Sequence, residues 1–309
     1  MLEYDATLVE REDISPNLAI FRIRPDLPPT TSWFIPGQYM VIGLNNTEQP
    51  QLGYVSRPLS LASSPHSSSL FEFYVRYAER PTSLNPLTHL LWKIKPGDRL
   101  YAKPKSTGKF TLHHTIGTDD KRTKIFVAAG TGLAPFISMI SERAYQRPNH
   151  HYLADIAIIH GASYPEELGY RARLETLSRE QGLIYIPTVS RPRKRSNWTG
   201  MTGRAEDLFI PGRIDDLESK IGLAPGKLTS SNCVVFICGL RGTIASTIER
   251  LLSRGFVPER RSIAKALGFG RDAKPSLFFE QFDDTPIINI RDLEEMERLR
   301  AVIARSHTN

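Results

Sequence analysis

Lys124-Ile-Phe-Val-Ala-Ala-Gly-Thr-Gly-Leu-Ala-Pro135 places an apolar run, a glycine turn and a helix start in one short stretch. The run Lys124–Ala129 is apolar without alternation, as in a strand buried on both faces of a parallel sheet. Phe136–Ala144 then has helical apolar spacing. Ile156–His160, Leu183–Pro187 and Cys233–Cys238 repeat the strand, with helical segments at Glu166–Glu180 and Thr243–Ser253 between them. Strands alternating with helices predict a doubly wound α/β domain over residues 119–285.

Towards the N-terminus the rhythm changes. Leu18–Arg24 reads as a half-buried strand ended by Pro25, Pro28 and Pro29, and Gln38–Leu44 follows a Pro36-Gly37 turn. Leu70–Tyr77 is rich in strong β-formers, and Asp98–Ala102 follows Pro96-Gly97. Short strands with this punctuation predict a closed antiparallel β-barrel over residues 1–118, with Leu84–Lys93 as a helix across its mouth. The polar link Thr118–Arg122 marks the boundary. Beyond the sheet, residues 286–309 form an extension whose Asp292–Ala304 reads as a charged amphipathic helix.

A chain of 309 residues supports two ordinary domains. Its net charge is +7, yet residues 1–120 balance at 12 basic and 12 acidic, so the excess lies in the second half. That half suits an anionic ligand or an acidic partner. No nucleic-acid-binding motif accompanies the charge, so no nucleic-acid partner is expected. The two cysteines, Cys233 and Cys238, fit neither a metal site nor a disulfide framework, so no metal and a reducing cytoplasm are expected. The N-terminus has no signal-peptide pattern, and no apolar run approaches the roughly 20 residues of a membrane span.

Gly130-Thr131-Gly132 follows a strand and opens a helix, where backbone N–H groups and the helix dipole hold a pyrophosphate. The alternative is a plain strand–helix turn. Pro135 stands where the fuller Gly-x-Gly-x-x-Gly fingerprint has its third glycine.

Arg57-Pro-Leu-Ser60, Gly130-Thr-Gly-Leu-Ala-Pro135 and Cys238-Gly-Leu-Arg-Gly242, in that order, resemble the signatures of the ferredoxin–NADP reductase family of flavoenzymes. Asn85-Pro-Leu-Thr88 with Lys95-Pro-Gly-Asp98, Lys105–Leu112 as a last barrel strand, and Ser190-Arg191 after a strand extend the resemblance to roughly residues 5–285.

The resemblance implies two cofactors, FAD and NADP(H). Arg57 would pair with flavin phosphates, and Pro58, Leu59 and Ser60 would line the ring, with Ser60 at its N5 edge. Leu59 stands where the family usually has tyrosine, so it covers the ring without stacking. Tyr74, Val75, Arg76 and Tyr77 would run beside the flavin, although for either tyrosine barrel core is the alternative. Leu87 and Thr88 would meet the pyrophosphate, and Thr131 would approach the flavin–nicotinamide contact. For NADP(H) the implied residues are Gly130, Thr131, Gly132, Ser190, Arg191, Arg204, Cys238, Gly239 and Leu240. The basic run Ser190–Arg195 is read either as a solvated loop or as the clamp for a 2′-phosphate. Cys238, otherwise a small core residue, would position the nicotinamide and not act as a nucleophile. Phe278, Phe279 or Phe282 would cover the flavin, or pack inward as an edge strand, and Glu280 would be the acidic residue near the ring. Ser60, Cys238 and Glu280 are thus the expected catalytic residues.

The implied reaction moves a hydride between NADP(H) and FAD, and single electrons to or from ferredoxin or flavodoxin, by a monomer. Two other readings remain. One is a reductase component serving an oxygenase or dehydrogenase; the other is a flavin- or nucleotide-binding regulatory module without turnover.

Overall fold

The computed structural model describes residues 1–27, 34–66, 69–103, 105–146, 152–192, 197–282 and 285–305. The chain divides into two compact units, Met1–Thr118 with Leu133–Pro148, and Asp119–Gly132 with Asn149–Asn309.

The first unit contains β1 (Ala6–Ser15), β2 (Leu18–Pro25), β3 (Tyr39–Asn45), β4 (Tyr54–Ser60), β5 (Phe71–Arg76), α1 (Leu87–Leu91), β6 (Arg99–Ala102), α2 (Leu112–Thr115) and α3 (Ala134–Gln146). The strands lie in the order β4-β3-β6-β1-β2-β5, all antiparallel. A bridge between Leu61 and Phe73 joins the two ends and closes the barrel. Leu8, Phe21, Met40, Ile42, Phe73 and Leu91 fill it, each side chain contributing roughly 1.5–3 kcal/mol through removal from water.

Two strands carry no apolar alternation. In β1, Glu10-Arg-Glu-Asp13 stays extended because its charges meet partners across the barrel wall. The Arg22 guanidinium lies 2.8 Å from Glu10, 2.9 Å from Glu12 and 2.7 Å from Glu72, linking β1, β2 and β5. The other is β4, which holds Pro58 and takes the end position of the strand order, where a missing N–H costs least. Lys105–Leu112 corrects the expectation of a last barrel strand. Thr107 exchanges two backbone hydrogen bonds with Tyr39, then Gly108 turns at φ +118° and Thr111 caps α2. The barrel's last strand is β6.

The second unit contains β7 (Thr123–Ala129), β8 (Ile156–Ala162), α4 (Arg171–Gln181), β9 (Ile184–Val189), β10 (Met201–Thr202), α5 (Ile214–Lys220), β11 (Cys233–Gly239), α6 (Arg241–Leu252), α7 (Arg261–Ala266), β12 (Leu277–Gln281) and α8 (Leu293–Arg305). The strand order is β10-β9-β8-β7-β11-β12, and every neighbouring pair is parallel. The chain runs outward from β7 to β10 and then returns to β7's other side as β11. The crevice beyond the carboxyl ends of β7 and β11 is therefore the topological switch point, where such sheets bind ligands.

The helix expected from Glu166 begins only at Arg171, because Pro165–Glu167 form a separate short turn and Tyr170 adopts φ +60°. Helix α8 docks on the second unit through Met296 and Leu299, both buried in its core, while Arg300 donates to the Ala266 carbonyl at the end of α7. Among the described residues no helix is long and apolar enough to cross a membrane.

Candidate functional site

At the switch point two glycine-bearing turns dovetail. Gly130–Leu133 form one 3-10 turn after β7, and Cys238-Gly239-Leu240 close β11. A Cβ on Gly132 would stand 2.1 Å from the Cys238 carbonyl oxygen. One on Gly239, which adopts φ +141°, would stand 2.9 Å from the Ala129 Cβ and carbonyl oxygen. These two glycines let the loops approach each other. Gly130 differs: it takes φ +56°, and among the described residues nothing lies within 4 Å of its missing Cβ. The open surface for a phosphate or a ring is at Gly130 and the half-exposed Thr131.

Sheet register brings together two of the three expected catalytic residues, Cys238 and Glu280. Cys238 stands between Ala128 on β7 and Glu280 on β12, so the three side chains share one face. Cys238 is fully buried. Burial, and secondarily the Glu280 charge, push its thiol well above the ordinary range, so it remains a neutral thiol. Leu240, one residue beyond β11, is 71% exposed and presents an apolar side chain at the same mouth.

The same row continues to His160 on β8, paired with Ala128, a residue whose position the sequence pattern did not single out. It is fully buried, its Nδ1 is 3.1 Å from the Tyr185 hydroxyl, and among the described residues its Nε2 has no hydrogen-bond partner. Burial pushes its pKa down to about 3, so the ring is neutral.

The basic residues gather at the carboxyl edge of β9 and β10. Ser190 and Arg191 donate their backbone N–H groups to Ala162 and Ser163, while Gly203 donates to Val189. These bonds set Arg191 and Arg204 on adjacent chain segments. Arg191 is exposed, and Arg204 has 68% of its side chain exposed. The intervening Arg193, Lys194 and Arg195 lie outside the described residues. A contact that the sequence did not point to holds Trp198 in front of β10. The Trp198 indole N–H donates to the Met201 carbonyl at 2.9 Å, and the Arg171 guanidinium lies over the indole at 5.2 Å.

In the first unit, Arg57 and Pro58 are exposed on β4, whereas Leu59 and Ser60 are half-buried and Leu59 packs on the barrel core. The Arg57 guanidinium donates to the Ser56 carbonyl at 2.8 Å. On β5, Val75 is barrel core and Tyr74 is buried, whereas Arg76 and the following Tyr77 are half-buried. Tyr77 stacks on His89 at 4.5 Å and tilts against Trp92, lining an open groove of about 350 Å3 with Pro16, Asn17 and Lys93. Leu87 is buried in the barrel. Thr88 accepts from the Ala78 N–H through its hydroxyl, so α1 is tied to the chain leaving β5.

Of the three phenylalanines read either as a flavin cover or as an inward-packing edge strand, two pack inward on β12. Phe278 stacks on Phe236 at 4.9 Å, and Phe279 lies under the Arg260 guanidinium at 4.5 Å. Phe282 is 54% exposed.

A family model described as an oxidoreductase NAD-binding domain matches residues 126–249, the stretch from β7 to α6. Ferredoxin–NADP reductase B of Sorangium cellulosum is 30% identical over 204 residues, 66% of this chain and 73% of that one. The chain belongs to the ferredoxin–NADP reductase family. It is an oxidoreductase of that family. Another relative is the sulfhydrogenase 1 subunit gamma of Pyrococcus furiosus, 27% identical over 78% of this chain and 71% of that one. The fold matches a ferredoxin NADP+ reductase from Neisseria gonorrhoeae, crystallised with bound FAD and NADP. That match has a TM-score of 0.71 and 20% identity, over 92% of this chain and 100% of the other.

Proposed function

We propose that the protein binds FAD through its barrel and NADP(H) through its α/β domain, passing a hydride between them and single electrons to or from ferredoxin or flavodoxin. The observation that carries this reading is the switch point. A turn open at Gly130 stands beside a strand end where Cys238 and Glu280 are in register. Bound flavin supplies the chemistry that joins two-electron and one-electron transfer.

The chain's own residues bind and orient. Arg57 and Arg76 neutralise flavin phosphates, and the Ser60 hydroxyl hydrogen-bonds the ring edge where the hydride arrives. Thr131 and the Gly130–Gly132 backbone seat the dinucleotide, with Ser190, Arg191 and Arg204 around its 2′-phosphate. Cys238, fully buried as a neutral thiol, packs behind the nicotinamide seat and offers no competing nucleophile. Glu280 supplies a carboxylate beside it.

Ferredoxin-dependent reduction of cytochrome c tests the whole reading. FAD-loaded protein with NADPH should reduce cytochrome c slowly alone and much faster with an acidic ferredoxin or flavodoxin, the gain shrinking at high salt. Retention of FAD without any reduction by NADPH would leave the non-catalytic module as the better account. The likeness to a sulfhydrogenase subunit favours a second reading, a reductase component of a larger assembly. Full flavin reduction without stimulation by any free carrier would support it.

A further inference from the structure

Helix α3 follows the Gly130–Leu133 turn, whose first three residues belong to the second unit, yet it belongs by its contacts to the barrel. Apolar packing supplies part of the hold: Phe136 meets Phe110 at 5.8 Å, and the Met139 methyl fills the space above Gly37. A polar part of the hold comes from one loop, the segment directly after Ser60 of β4. Ser138 donates its hydroxyl to the Ser63 carbonyl at 2.6 Å. Ser64 donates its own to Glu142 Oε2 at 2.6 Å, and His66 Nδ1 lies 2.6 Å from Glu142 Oε1. Gln146 donates to that same oxygen at 2.7 Å, and the His66 ring stacks on Tyr145 at 5.9 Å.

Glu142 is only 7% exposed. Withdrawing a carboxylate from water is costly unless donors replace the water, and here three side chains do so. An apolar residue would join helix to barrel without that cost. What the carboxylate adds is direction, because hydrogen bonds fix the rotation and axial position of α3 where oily contacts let it slide. One end of this clasp is four to six residues past Ser60; the other is the helix whose first turn follows Gly132.

We propose that Glu142 is a positioning residue for hydride transfer. By holding Ser64 and His66 it sets the register of α3 and with it the seat of the Gly130–Gly132 turn. This rests on the dinucleotide reading proposed above.

The test uses FAD-loaded full-length protein and three variants, Glu142→Ala, Glu142→Gln and the milder Ser64→Ala. In Glu142→Ala, flavin reduction at saturating NADPH should fall about tenfold while the Kd for NADPH stays within about threefold, the signature of lost alignment. Hydrogen exchange gives a readout independent of turnover. With saturating NADP+, the amides of residues 130–136 should exchange about tenfold faster than in the wild type. Ser64→Ala should move both readouts in the same direction by about threefold. Glu142→Gln should recover most of both, because the Ser64 hydroxyl can rotate to accept from the amide. A Glu142→Ala or Ser64→Ala protein that keeps the wild-type saturating rate, while α3 amides exchange faster, would overturn the proposal and leave the clasp purely structural. A wild type whose 130–136 amides ignore NADP+ would instead overturn the dinucleotide reading on which it stands.

Discussion

Glycine 132 has no room for even one methyl group, and the obstacle is the backbone oxygen of Cys238, not a side chain that could move. Gly132→Ala should therefore cost roughly 1–3 kcal/mol or more through forced backbone shifts, lowering the melting temperature by several degrees. Gly130→Ala meets no atom and pays only for its left-handed backbone, about 1 kcal/mol. Differential scanning calorimetry of the pair checks the order; equal losses would contradict the dovetail. Sequence reasoning assigned both glycines to phosphate access, because a motif does not say which glycine faces a ligand and which faces a neighbouring loop. Arg191 is a cleaner case. Its alanine variant should bind NADPH about 10- to 100-fold more weakly, the worth of a charge-assisted hydrogen bond, with NADH little changed. Equal loss for both nucleotides in a titration would remove the 2′-phosphate assignment.

Among the elements, those with a strong apolar signal were legible and those held by charge were not. β7, β8, β9 and β11 are apolar along their length, and helices α3, α6 and α8 have clear faces, so their positions follow from pattern alone. β1 was invisible because its glutamates are neutralised by Arg22 on the partner strand β2, a pairing no apolar pattern marks. β4 was hidden as a strand by Pro58, though its Arg57–Ser60 motif was plain. Lys105–Leu112 misled in the other direction, since the resemblance implied a strand that turns away at Gly108. The clasp at Glu142 lies between loop and helix residues 76 to 78 apart in sequence, a juxtaposition no local pattern encodes. For α8 the packing makes a direct prediction. Leu299→Ala removes a core side chain of the second unit and should destabilise it by about 2–5 kcal/mol. A loss under about 0.5 kcal/mol in urea unfolding would show that the helix only rests on the surface.

For the whole molecule, the row His160–Ala128–Cys238–Glu280 gives stability an acid-sensitive component. His160 is neutral in the fold down to about pH 3, whereas the unfolded chain protonates it below its ordinary 6.5. The unfolded state thus binds the extra proton between those values, so stability falls as pH drops through 6.5 towards 3. Linkage puts this group's share near 2 kcal/mol between pH 7 and pH 5. His160→Gln should lose about that much less than the wild type over the same interval; parallel curves would contradict the buried neutral ring. The fold class, an antiparallel barrel and a parallel sheet with helices, was legible, since each period is set by its own core. What a motif could not convey is how the two glycine-bearing turns share space at the switch point. The central claim, that NADP(H) and FAD exchange a hydride on this chain, is tested most directly by anaerobic rapid mixing of the FAD-loaded protein with NADPH or NADH. The account predicts loss of the oxidised flavin's visible absorbance, at lower concentrations of NADPH than of NADH. Bound flavin that keeps its absorbance with both nucleotides would contradict it.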